Sequence, residues 1–439
     1  MRPAPRAFLA AALTAALTAA TATALAPAAL ARPGPASSVT AGSPIRIVAA
    51  TRSVTDATLK TWQPDAPYAL GGQLTTTPQL LARTASDVLY QHARVGVAGY
   101  NIPVSTPGTY FVDLFTSETQ GAQPGERVWN VNAEGISVAM NVDTARDAGP
   151  ATASHVLFAV PVTDGVLNIR TVAQVGTPLV DAVEVDYEKS ATTTSTLFSD
   201  DFDGEAGSSP DATKWGLAEG GNGWGNSELE TYTRRTSNAA LDGAGNLDIV
   251  AQKENYTGSD GITRNYTSAR LTTVNTFSFQ YGTAVARMRV PGGQGLWPAF
   301  WALGTNRNTV GWPLCGEMDV MENHGDELST THATVHAAVQ GATTQEWNSS
   351  TATDAASALS SDYHTYGLVW GPGAMAMTLD GHTYFSLSSA DLSPVLLWNF
   401  DHPFFLLLNL AVGGNTPGAP NGTTPFPAVM AVDYVHVTG

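Results

Sequence analysis

This chain of 439 residues has a single cysteine, few charged residues and almost no helical periodicity. With only Cys315 present, an internal disulfide is excluded, and stability must come from burying a core. No base stands at a recognisable spacing from Cys315, so we expect a buried structural thiol and not a nucleophile. The net charge of −17 argues against nucleic acid or an anionic membrane surface as a partner. No coiled-coil pattern is present, so a monomer is expected.

The first thirty residues contain the one long apolar run of the sequence. Arg2 and Arg6 give a positive start, residues 8–30 are rich in Ala, Leu and Thr, and residues 29–31 read Ala-Leu-Ala, a small-x-small cleavage pattern. This order is typical of a secretory signal peptide, here residues 1–31, and predicts an extracellular protein. A membrane anchor is the alternative. Residues 32–44 are rich in Pro, Gly and Ala and are predicted to be a flexible segment.

The rest of the chain reads as two strand-rich domains. Residues 45–188 hold many short alternating runs separated by turn residues, which predicts an antiparallel β-sandwich. The polar stretch 189–198 is interpreted as a linker. Residues 199–439 are again strand-rich and long enough for a large two-sheet sandwich, in which one concave sheet forms a cleft for a polymer. The predicted fold class is therefore all-β.

Two kinds of local pattern support this fold. The dipeptides at 242–243 and 380–381 are both Asp-Gly and lie between strand-like runs, where they favour hairpin turns. The continuous apolar run 404–412 is typical of a strand that is buried on both faces.

The segment 316–323, GEMDVMEN, carries three carboxylates among apolar residues. On a regular strand Glu317 and Asp319 share a face, whereas Glu322, five positions from Glu317, points to the other face. One extra residue in the strand, a β-bulge at Val320 and Met321, would restore the parity and bring all three acids to one side. The odd spacing indicates a bulge only if the three acids act together.

Three carboxylates in a row must share protons, bind a cation or face a cleft that uses them. One interpretation is a retaining glycosidase, which needs a nucleophile and an acid/base group close together. A cation site that includes His324, and a solvated acidic strand, are the alternatives. Trp297 and Trp301 lie just upstream and favour sugar, because indole rings stack on the apolar faces of sugar rings. His336 follows the acids and is placed to hydrogen-bond a carboxylate, unless it is a structural residue.

Several segments in order resemble glycoside hydrolase family 16, specifically the laminarinase-like bacterial β-glucanases. The resemblance covers nearly all of residues 200–439, and its bulged E-x-D-x-x-E pattern is that of the laminarinase branch. The matching segments are 223–230 (GWGNSELE), 266–271 (YTSARL), 295–304 (GLWPAFWALG), 316–322 (GEMDVME), 405–414 (FLLLNLAVGG) and 432–435 (VDYV).

The resemblance implies a β-jelly roll with an open substrate groove, and it implies roles for individual residues. Glu317 matches the nucleophile, Asp319 the assisting acid and Glu322 the general acid/base. The remaining matches are a histidine near the acid/base at His336, groove tryptophans at Trp297 and Trp301, and glycone-side polar residues at Asn226 and Arg287.

The same resemblance implies no cofactor for catalysis but a possible structural calcium ion on the convex face. Its implied ligands are Asp203, a backbone carbonyl near Gly245, and Asp433. Oxygen ligands of this kind suit a hard cation.

Residues 45–188 resemble a malectin-like domain, through the segments 88–94 (VLYQHAR), 107–114 (PGTYFVDL) and 125–131 (GERVWNV). This implies a β-sandwich module with a possible second glycan site, to which Tyr68 and Tyr90 would contribute. The loop after Glu118 lacks the aromatics that contact the ligand in malectin. A spacer, or a module for another glycan, is therefore an equal alternative.

Together these patterns predict a secreted enzyme that hydrolyses β-1,3-glucan, or mixed β-1,3/1,4-glucan, at internal linkages with retention. The partner is then a β-glucan polysaccharide. Three alternatives stay open: action on a galactan-type polysaccharide, transglycosylation, and glucan binding without catalysis.

Overall fold

The computed structural model describes residues 38–40 and 42–439. The predicted signal peptide and most of the flexible segment after it lie outside these residues. Within the described part of the chain, no helix is long and apolar enough to cross a membrane.

The N-terminal region consists of strands joined by turns, with two helices of a single turn each. Its elements are β1 Ile45–Val48, β2 Val54–Thr55, β3 Thr61–Pro64, β4 Gln73–Thr76, α1 Asp87–Tyr90, β5 His92–Val95, β6 Gly99–Pro103, β7 Gly108–Thr116, β8 Val128–Ala133, β9 Ile136–Val142, α2 Thr144–Asp147, β10 Ser154–Val162, β11 Val166–Val175, β12 Leu179–Val180 and β13 Ala182–Lys189.

These strands form a six-stranded sheet in the order β10-β7-β13-β1-β3-β2, a four-stranded sheet β6-β11-β8-β9 and a three-stranded sheet β12-β5-β4. Their apolar faces share one core, in which Trp129, Tyr110 and Ile169 are fully buried. The region is therefore the predicted β-sandwich.

The C-terminal region is also built from strands. Its elements are β14 Thr196–Asp200, β15 Gly216–Leu217, β16 Glu230–Tyr232, β17 Ala239–Leu241, β18 Leu247–Thr257, β19 Thr263–Ser268, β20 Arg270–Thr272, β21 Gly282–Arg289, β22 Leu296–Gly304, α3 Arg307–Val310, β23 Glu317–Glu322, β24 Thr330–Ala338, β25 Glu346–Asp354, β26 His364–Gly371, β27 Ala374–Leu379, β28 His382–Ser388, a 3₁₀ turn Ser389–Asp391, β29 Phe404–Val412 and β30 Ala428–Thr438.

Two large sheets pack face to face in this region as a jelly roll. The first runs β16-β19-β18-β30-β21-β26-β27-β28, with β14 beside β30 and β17 beside β18, and the second runs β15-β20-β29-β22-β23-β24-β25. Phe300 and Met318 from the second sheet meet Met377 and Trp370 from the first in a single core. The all-β prediction is confirmed, and the second sheet keeps one face free for a cleft.

The predicted turns and the buried strand are present. Asp380 and Gly381 both have positive φ, and Leu379 pairs directly with His382 across this two-residue turn. At 242–243 the connection is longer, although Gly243 also has positive φ. Strand β29 is buried along its whole length, as its apolar sequence predicts.

The two regions pack directly on each other through β7 and β10. Phe111 and Leu157 form an apolar cluster with Ala374 and Ala376 of the jelly roll. A Cβ atom on Gly371 would lie 2.2 Å from the ring of Phe111, so only glycine permits this approach. Strand β7 is buried on both faces because its second face lies in this contact.

A buried polar cluster lies beside these apolar residues. His155 of β10 is 2% exposed and lies between two carboxylates, with Nδ1 2.8 Å from Asp113 and Nε2 2.6 Å from Asp391. Tyr90 donates a hydrogen bond of 3.0 Å to the same Asp391. An aspartate of the jelly roll thus binds two side chains of the N-terminal region.

Candidate active site

Strand β23 contains the bulge that the spacing of its acids predicts. On the side of β22, Phe300 pairs with Met321 and Trp301 pairs with Asp319, so Val320 has no partner of its own. On the side of β24 the register shifts between Asp319 and Glu322 as well. The prediction of an extra residue at Val320 and Met321 is confirmed.

Because of the bulge, one face of the strand carries the apolar side chains and the other carries the acids. Met318, Val320 and Met321 are fully buried in the core between the sheets. Glu317, Asp319 and Glu322 line the same cleft on the opposite face, around a cavity of about 320 Å³. Three carboxylates therefore meet at one point of the cleft floor because one extra residue restores their parity.

A side chain of the other sheet holds the bulge in place. The hydroxyl of Tyr384, on β28, donates a hydrogen bond of 2.6 Å to the carbonyl of Val320. Tyr384 is 4% exposed, so this bond is shielded from water. The bulged residue thus has its carbonyl satisfied across the core, where an unpaired one would be costly.

Trp297 and Trp301 line the cleft but are engaged with the protein. The indole N–H of Trp297 donates a bond of 2.8 Å to Glu322, and the ring packs on Tyr232 and Ala411. The indole N–H of Trp301 donates to Asn409 over 2.7 Å. Trp297 therefore orients Glu322, while the half-buried ring of Trp301 remains available as part of the cleft wall.

His336 lies beside Asp319 and not beside Glu322. Its Nε2 is 3.2 Å from Asp319 Oδ2, its Nδ1 contacts Glu346, and its strand position pairs with Glu317. The expected contact of His336 with a carboxylate is confirmed, with Asp319 and Glu346 as partners, while His332 occupies the strand position opposite Glu322. His336 contacts the middle acid, next to the nucleophile candidate.

Burial and the charge of Asp319 raise the pKa values of both glutamates. Burial raises the pKa of Glu317 to about 8, with a further contribution from the charge of Asp319. Burial and the same charge raise the pKa of Glu322 to about 8. Burial lowers the pKa of His336, but its contact with Asp319 and the charges of Asp319 and Glu317 outweigh this and raise it to about 10. A protonated His336 therefore compensates part of the negative charge.

The neighbours of the two glutamates differ. His336 and Arg270, together with the indole of Trp312, oppose the rise in the pKa of Glu317. For Glu322 the charge of His336 and the hydrogen bond from Trp297 oppose the rise. The cation of Arg270 favours the ionised form of Glu317, while both pKa values lie at about 8.

Arg270 and Arg307 line the cleft, and Arg287 does not. The guanidinium of Arg270 lies between two indoles, 4.6 Å from the ring centre of Trp301 and 4.8 Å from that of Trp224. Arg287 belongs to the other sheet, where it pairs with Asp433. The prediction for Arg287 is wrong, because the alternation of β21 directs its side chain away from the second sheet.

Asn226 lines the cleft as predicted, and so do several residues that were not predicted from the sequence. Trp224, Glu228, Arg270 and Asn409 stand inside segments already matched to the family, so those segments could have identified them. Trp312 lies outside every matched segment and is 41% exposed in the cleft.

Two of the three residues proposed as calcium ligands lie close together. The carboxylate of Asp203 lies close to Gly245, with Oδ1 3.7 Å from where a Cβ of Gly245 would be. Asp433 is instead engaged by the guanidinium of Arg287, which already neutralises its charge. The calcium site stays a prediction for Asp203, Gly245 and Asp433, and an ion there would compete with Arg287 for the carboxylate of Asp433.

Cys315 is fully buried, as expected, against Leu303, Phe405 and Leu407. Burial, with the charge of Glu317, raises the pKa of its thiol to about 11. Because the thiolate is the reactive form, this cysteine is inert at neutral pH.

The two tyrosines considered for a second glycan are both buried, Tyr68 with 6% and Tyr90 with 0% exposure. Tyr90 is covered by Asp391 of the jelly roll. Their expected role in sugar contact is therefore wrong in this arrangement, and a glycan at the N-terminal module stays a prediction without assigned residues.

Comparisons with known proteins agree with this geometry. The model of a Malectin domain matches residues 45–190, and that of Glycosyl hydrolases family 16 matches residues 229–426. A beta-glucanase of Rhodothermus marinus is 38% identical over 255 residues, which are 55% of this chain and 84% of the relative. A glucan endo-1,3-beta-glucosidase of Cryptopygus antarcticus is 37% identical over 212 residues, 46% of this chain and 76% of the relative.

Among solved structures, the endo-beta-1,3-glucanase from Pyrococcus furiosus is 39% identical, with a TM-score of 0.51. The similarity covers 56% of this chain and 94% of that one. With sequence and fold in agreement over 76–94% of these relatives, the chain belongs to glycosyl hydrolase family 16 and is a glycoside hydrolase.

Proposed function

We propose that this enzyme cleaves internal linkages of β-1,3-glucan of the laminarin type, or of mixed β-1,3/1,4-glucan, with retention at the anomeric carbon. The names of the similar proteins, beta-glucanase and glucan endo-1,3-beta-glucosidase, support a glucan. A cleft on the face of a sheet, walled by Trp301, Trp312 and Arg270, suits a polymer with apolar ring faces.

The observation that carries the proposal is the bulged strand with its unequal glutamates. Retention requires one ionised carboxylate as nucleophile and one protonated carboxyl as acid. Both glutamates have a pKa raised to about 8, but Glu317 is next to two cations, whereas Glu322 accepts a hydrogen bond from an indole. Two identical side chains can thus have different protonation states in the same cleft.

In the first step Glu317 attacks the anomeric carbon while Glu322 gives its proton to the leaving glycosidic oxygen. A covalent glycosyl-enzyme forms, and the reducing-end fragment departs. Asp319, bracketed by His336 and the two glutamates, orients Glu317 and can pass a proton within the group.

In the second step Glu322, now a carboxylate, removes a proton from the attacking water. The water oxygen displaces Glu317 from the anomeric carbon, and the original configuration is restored. Both steps use side chains of this chain alone, as is general for glucanases of the family.

The nucleophile assignment is tested by Glu317→Gln. We expect hydrolysis to fall by about three orders of magnitude or more, with an unchanged circular dichroism spectrum, because the amide cannot form the ester. NMR of the first products of the unaltered enzyme should show the retained anomer. Near-normal turnover of the variant, or an inverted first product, would remove the assignment.

The substrate is tested with a panel of laminarin, mixed-linkage β-glucan and a β-galactan, followed by product sizing. We expect rapid formation of mid-sized oligosaccharides from the two glucans. Preference for the galactan would identify the alternative polysaccharide. Longer products from added acceptor would indicate a transglycosylase. Binding to laminarin without formation of new reducing ends would indicate a binding protein.

We further propose that the enzyme is secreted, on the support of the N-terminal signal pattern. Expression of the full chain in a secreting bacterium should release a protein that begins at residue 32, as measured by mass spectrometry of the medium. Retention of the uncleaved chain in the membrane fraction would favour an anchor.

A further inference from the structure

Three potential metal ligands lie next to Glu322, on the side away from Glu317. They are His324 and Glu327 in the connection after β23, and His332 on β24. Their ligand atoms all lie within 4.8 Å of one another. The Glu327 carboxylate contacts both imidazoles, with Oε2 3.4 Å from His324 Nδ1 and 2.5 Å from His332 Nε2.

The arrangement is already close to that of a metal site with two histidines and one glutamate. The two imidazole rings lie 4.5 Å apart at a shallow angle of 30°, so both edges face the same carboxylate. In a tetrahedral zinc site the metal–ligand distances of about 2.0–2.2 Å separate neighbouring ligand atoms by roughly 3.4 Å. The distance between His324 Nδ1 and Glu327 Oε2 has this size. Small movements of the half-exposed side chains would bring the other distances between ligand atoms to it.

We propose that His324, Glu327 and His332 form a binding site for a borderline-soft divalent cation, with Zn²⁺ as the reference ion. Two imidazoles exclude Ca²⁺ and Mg²⁺ as preferred ions, because those cations take oxygen ligands. The side chain of Glu327 is 42% exposed, so the ion can enter from solvent and keep a water as fourth ligand.

The site is coupled to the catalytic cleft by two contacts. His332 pairs with Glu322 across β23 and β24, and directly opposed residues share a face of the sheet. Trp297 donates its N–H to Glu322, and its ring centre lies 6.3 Å from that of His324. Because the ion would hold His324 and His332 in place, its binding should shift Trp297 and Glu322, which contact them, and so inhibit hydrolysis reversibly.

A second group, formed by Glu317, Asp319 and His336, also meets the distance criterion. These residues belong to the cleft described above, so an ion there would compete with the substrate itself. The two locations are distinguishable because they share no residue.

Metal binding is measured on the full mature chain without an affinity tag, after treatment with chelator. Titration calorimetry with Zn²⁺ and visible absorption with Co²⁺ should both give one site per chain, and Ca²⁺ should not compete. His324→Gln and His332→Gln should each weaken binding by at least about tenfold. His436→Gln, in the first sheet and paired with Asp201, is the matched control and should bind as the unaltered chain does.

The absence of a Zn²⁺ site, or one that is equally strong in His324→Gln and His332→Gln, would overturn the proposal. So would a site that is lost in His336→Gln but kept in His324→Gln, because the ion would then lie at the catalytic group. These readouts do not require activity, so they are independent of the proposed substrate.

The coupling to catalysis is tested separately with the glucan that the enzyme cleaves. Each variant is compared with its own metal-free rate. Zn²⁺ should reduce kcat in the unaltered chain and in His436→Gln, chelator should restore it, and His324→Gln should require at least about tenfold more Zn²⁺ for the same loss. Equal inhibition of His324→Gln would overturn the coupling.

Discussion

Glu317 and Glu322 carry the same functional group, and only their neighbours make them different. Both pKa values are raised to about 8, first by burial and then by the charge of Asp319. Arg270 and Trp312 act on Glu317, whereas Trp297 acts on Glu322. At the scale of the residue, the division of roles is therefore a property of contacts and not of residue type.

The raised pKa of Glu322 predicts a basic limit to activity. The first step needs its protonated form, which is lost as the pH rises through about 8. We expect kcat/KM on laminarin to fall about tenfold per pH unit above that value. Profiles measured between pH 4 and 10, with stability checked at each pH, would show it. A profile that stays flat to pH 10 would contradict a proton donor with this pKa.

The position of Arg270 predicts that its substitution shifts the acidic limit of activity. In Arg270→Met the cation beside Glu317 is removed, so the pKa of Glu317 rises further and less of it is ionised at low pH. We expect the acidic limb of kcat/KM to shift to higher pH, and kcat/KM at pH 6 to fall about tenfold or more.

Arg287→Met is the matched control, because Arg287 also lies over an aromatic ring, 4.7 Å from the centre of Tyr363, but on the other sheet. Its pH profile should equal that of the unaltered enzyme. A shift of the same size in both variants would mean that Arg270 acts through the net charge of the protein and not by its position.

At the scale of the element, the bulge in β23 decides whether there is an active site. A regular strand would direct Glu322 into the core and one of the methionines into the cleft. The parity of the sequence predicts the bulge, because only one extra residue brings three acids to one face. The hydroxyl that holds the bulge comes from Tyr384, more than sixty positions later, and nothing in the motif points to it.

Removing that hydroxyl should loosen the bulge. In Tyr384→Phe the carbonyl of Val320 is left buried without its partner, which costs about 1–3 kcal/mol of unfolding free energy. Because Glu322 follows the bulge directly, we expect kcat to fall more than KM rises. Thermal unfolding and steady-state kinetics on laminarin would measure both effects.

Tyr366→Phe provides the control for this substitution. Tyr366 is equally buried in the same sheet, but its hydroxyl has no hydrogen-bond partner among the described residues. Removal of this hydroxyl should leave kcat unchanged and the stability equal or slightly higher. If both variants lose the same stability and activity, the bond to Val320 has no special role.

At the scale of the whole molecule, the N-terminal module is fixed to the jelly roll by a buried charge cluster. Burial lowers the pKa of His155, but Asp113 and Asp391 outweigh it and raise the pKa to about 10. The protonated imidazole thus lies between carboxylates of both regions. The covering of Tyr90 by Asp391 belongs to the same contact.

His155→Gln should therefore destabilise the whole chain. Two carboxylates lose their shared cation inside the protein, a loss of about 3–5 kcal/mol when a buried pair is broken. Because the folded pKa is raised, the stabilisation is complete below the ordinary value near pH 6.5 and disappears as the pH rises towards about 10.

The measurement is the difference in melting temperature between the unaltered chain and His155→Gln at several pH values. We expect a large difference at pH 6 that shrinks by pH 10, and a negligible one for His436→Gln, whose imidazole is at the surface. A difference independent of pH would mean that lost packing, and not the charge of His155, is responsible.

Features that depend on neighbours along the chain were predictable from local patterns. Alternation and turn residues define the strands, the Asp380–Gly381 dipeptide sets a tight turn, and the five-residue step from Glu317 to Glu322 indicates a bulge once the acids are taken to act together. The matched segments identified the family and predicted that Asn226, Trp297 and Trp301 line the cleft.

Contacts between residues far apart in the chain could not be predicted and became visible with the folded structure. It placed Arg270 instead of Arg287 beside Glu317, His336 beside Asp319, and Asp433 against an arginine. It also covered Tyr90 with Asp391. The physical reason is that each of these outcomes depends on sheet register and domain packing across many residues, and a local pattern of side chains carries no information on either.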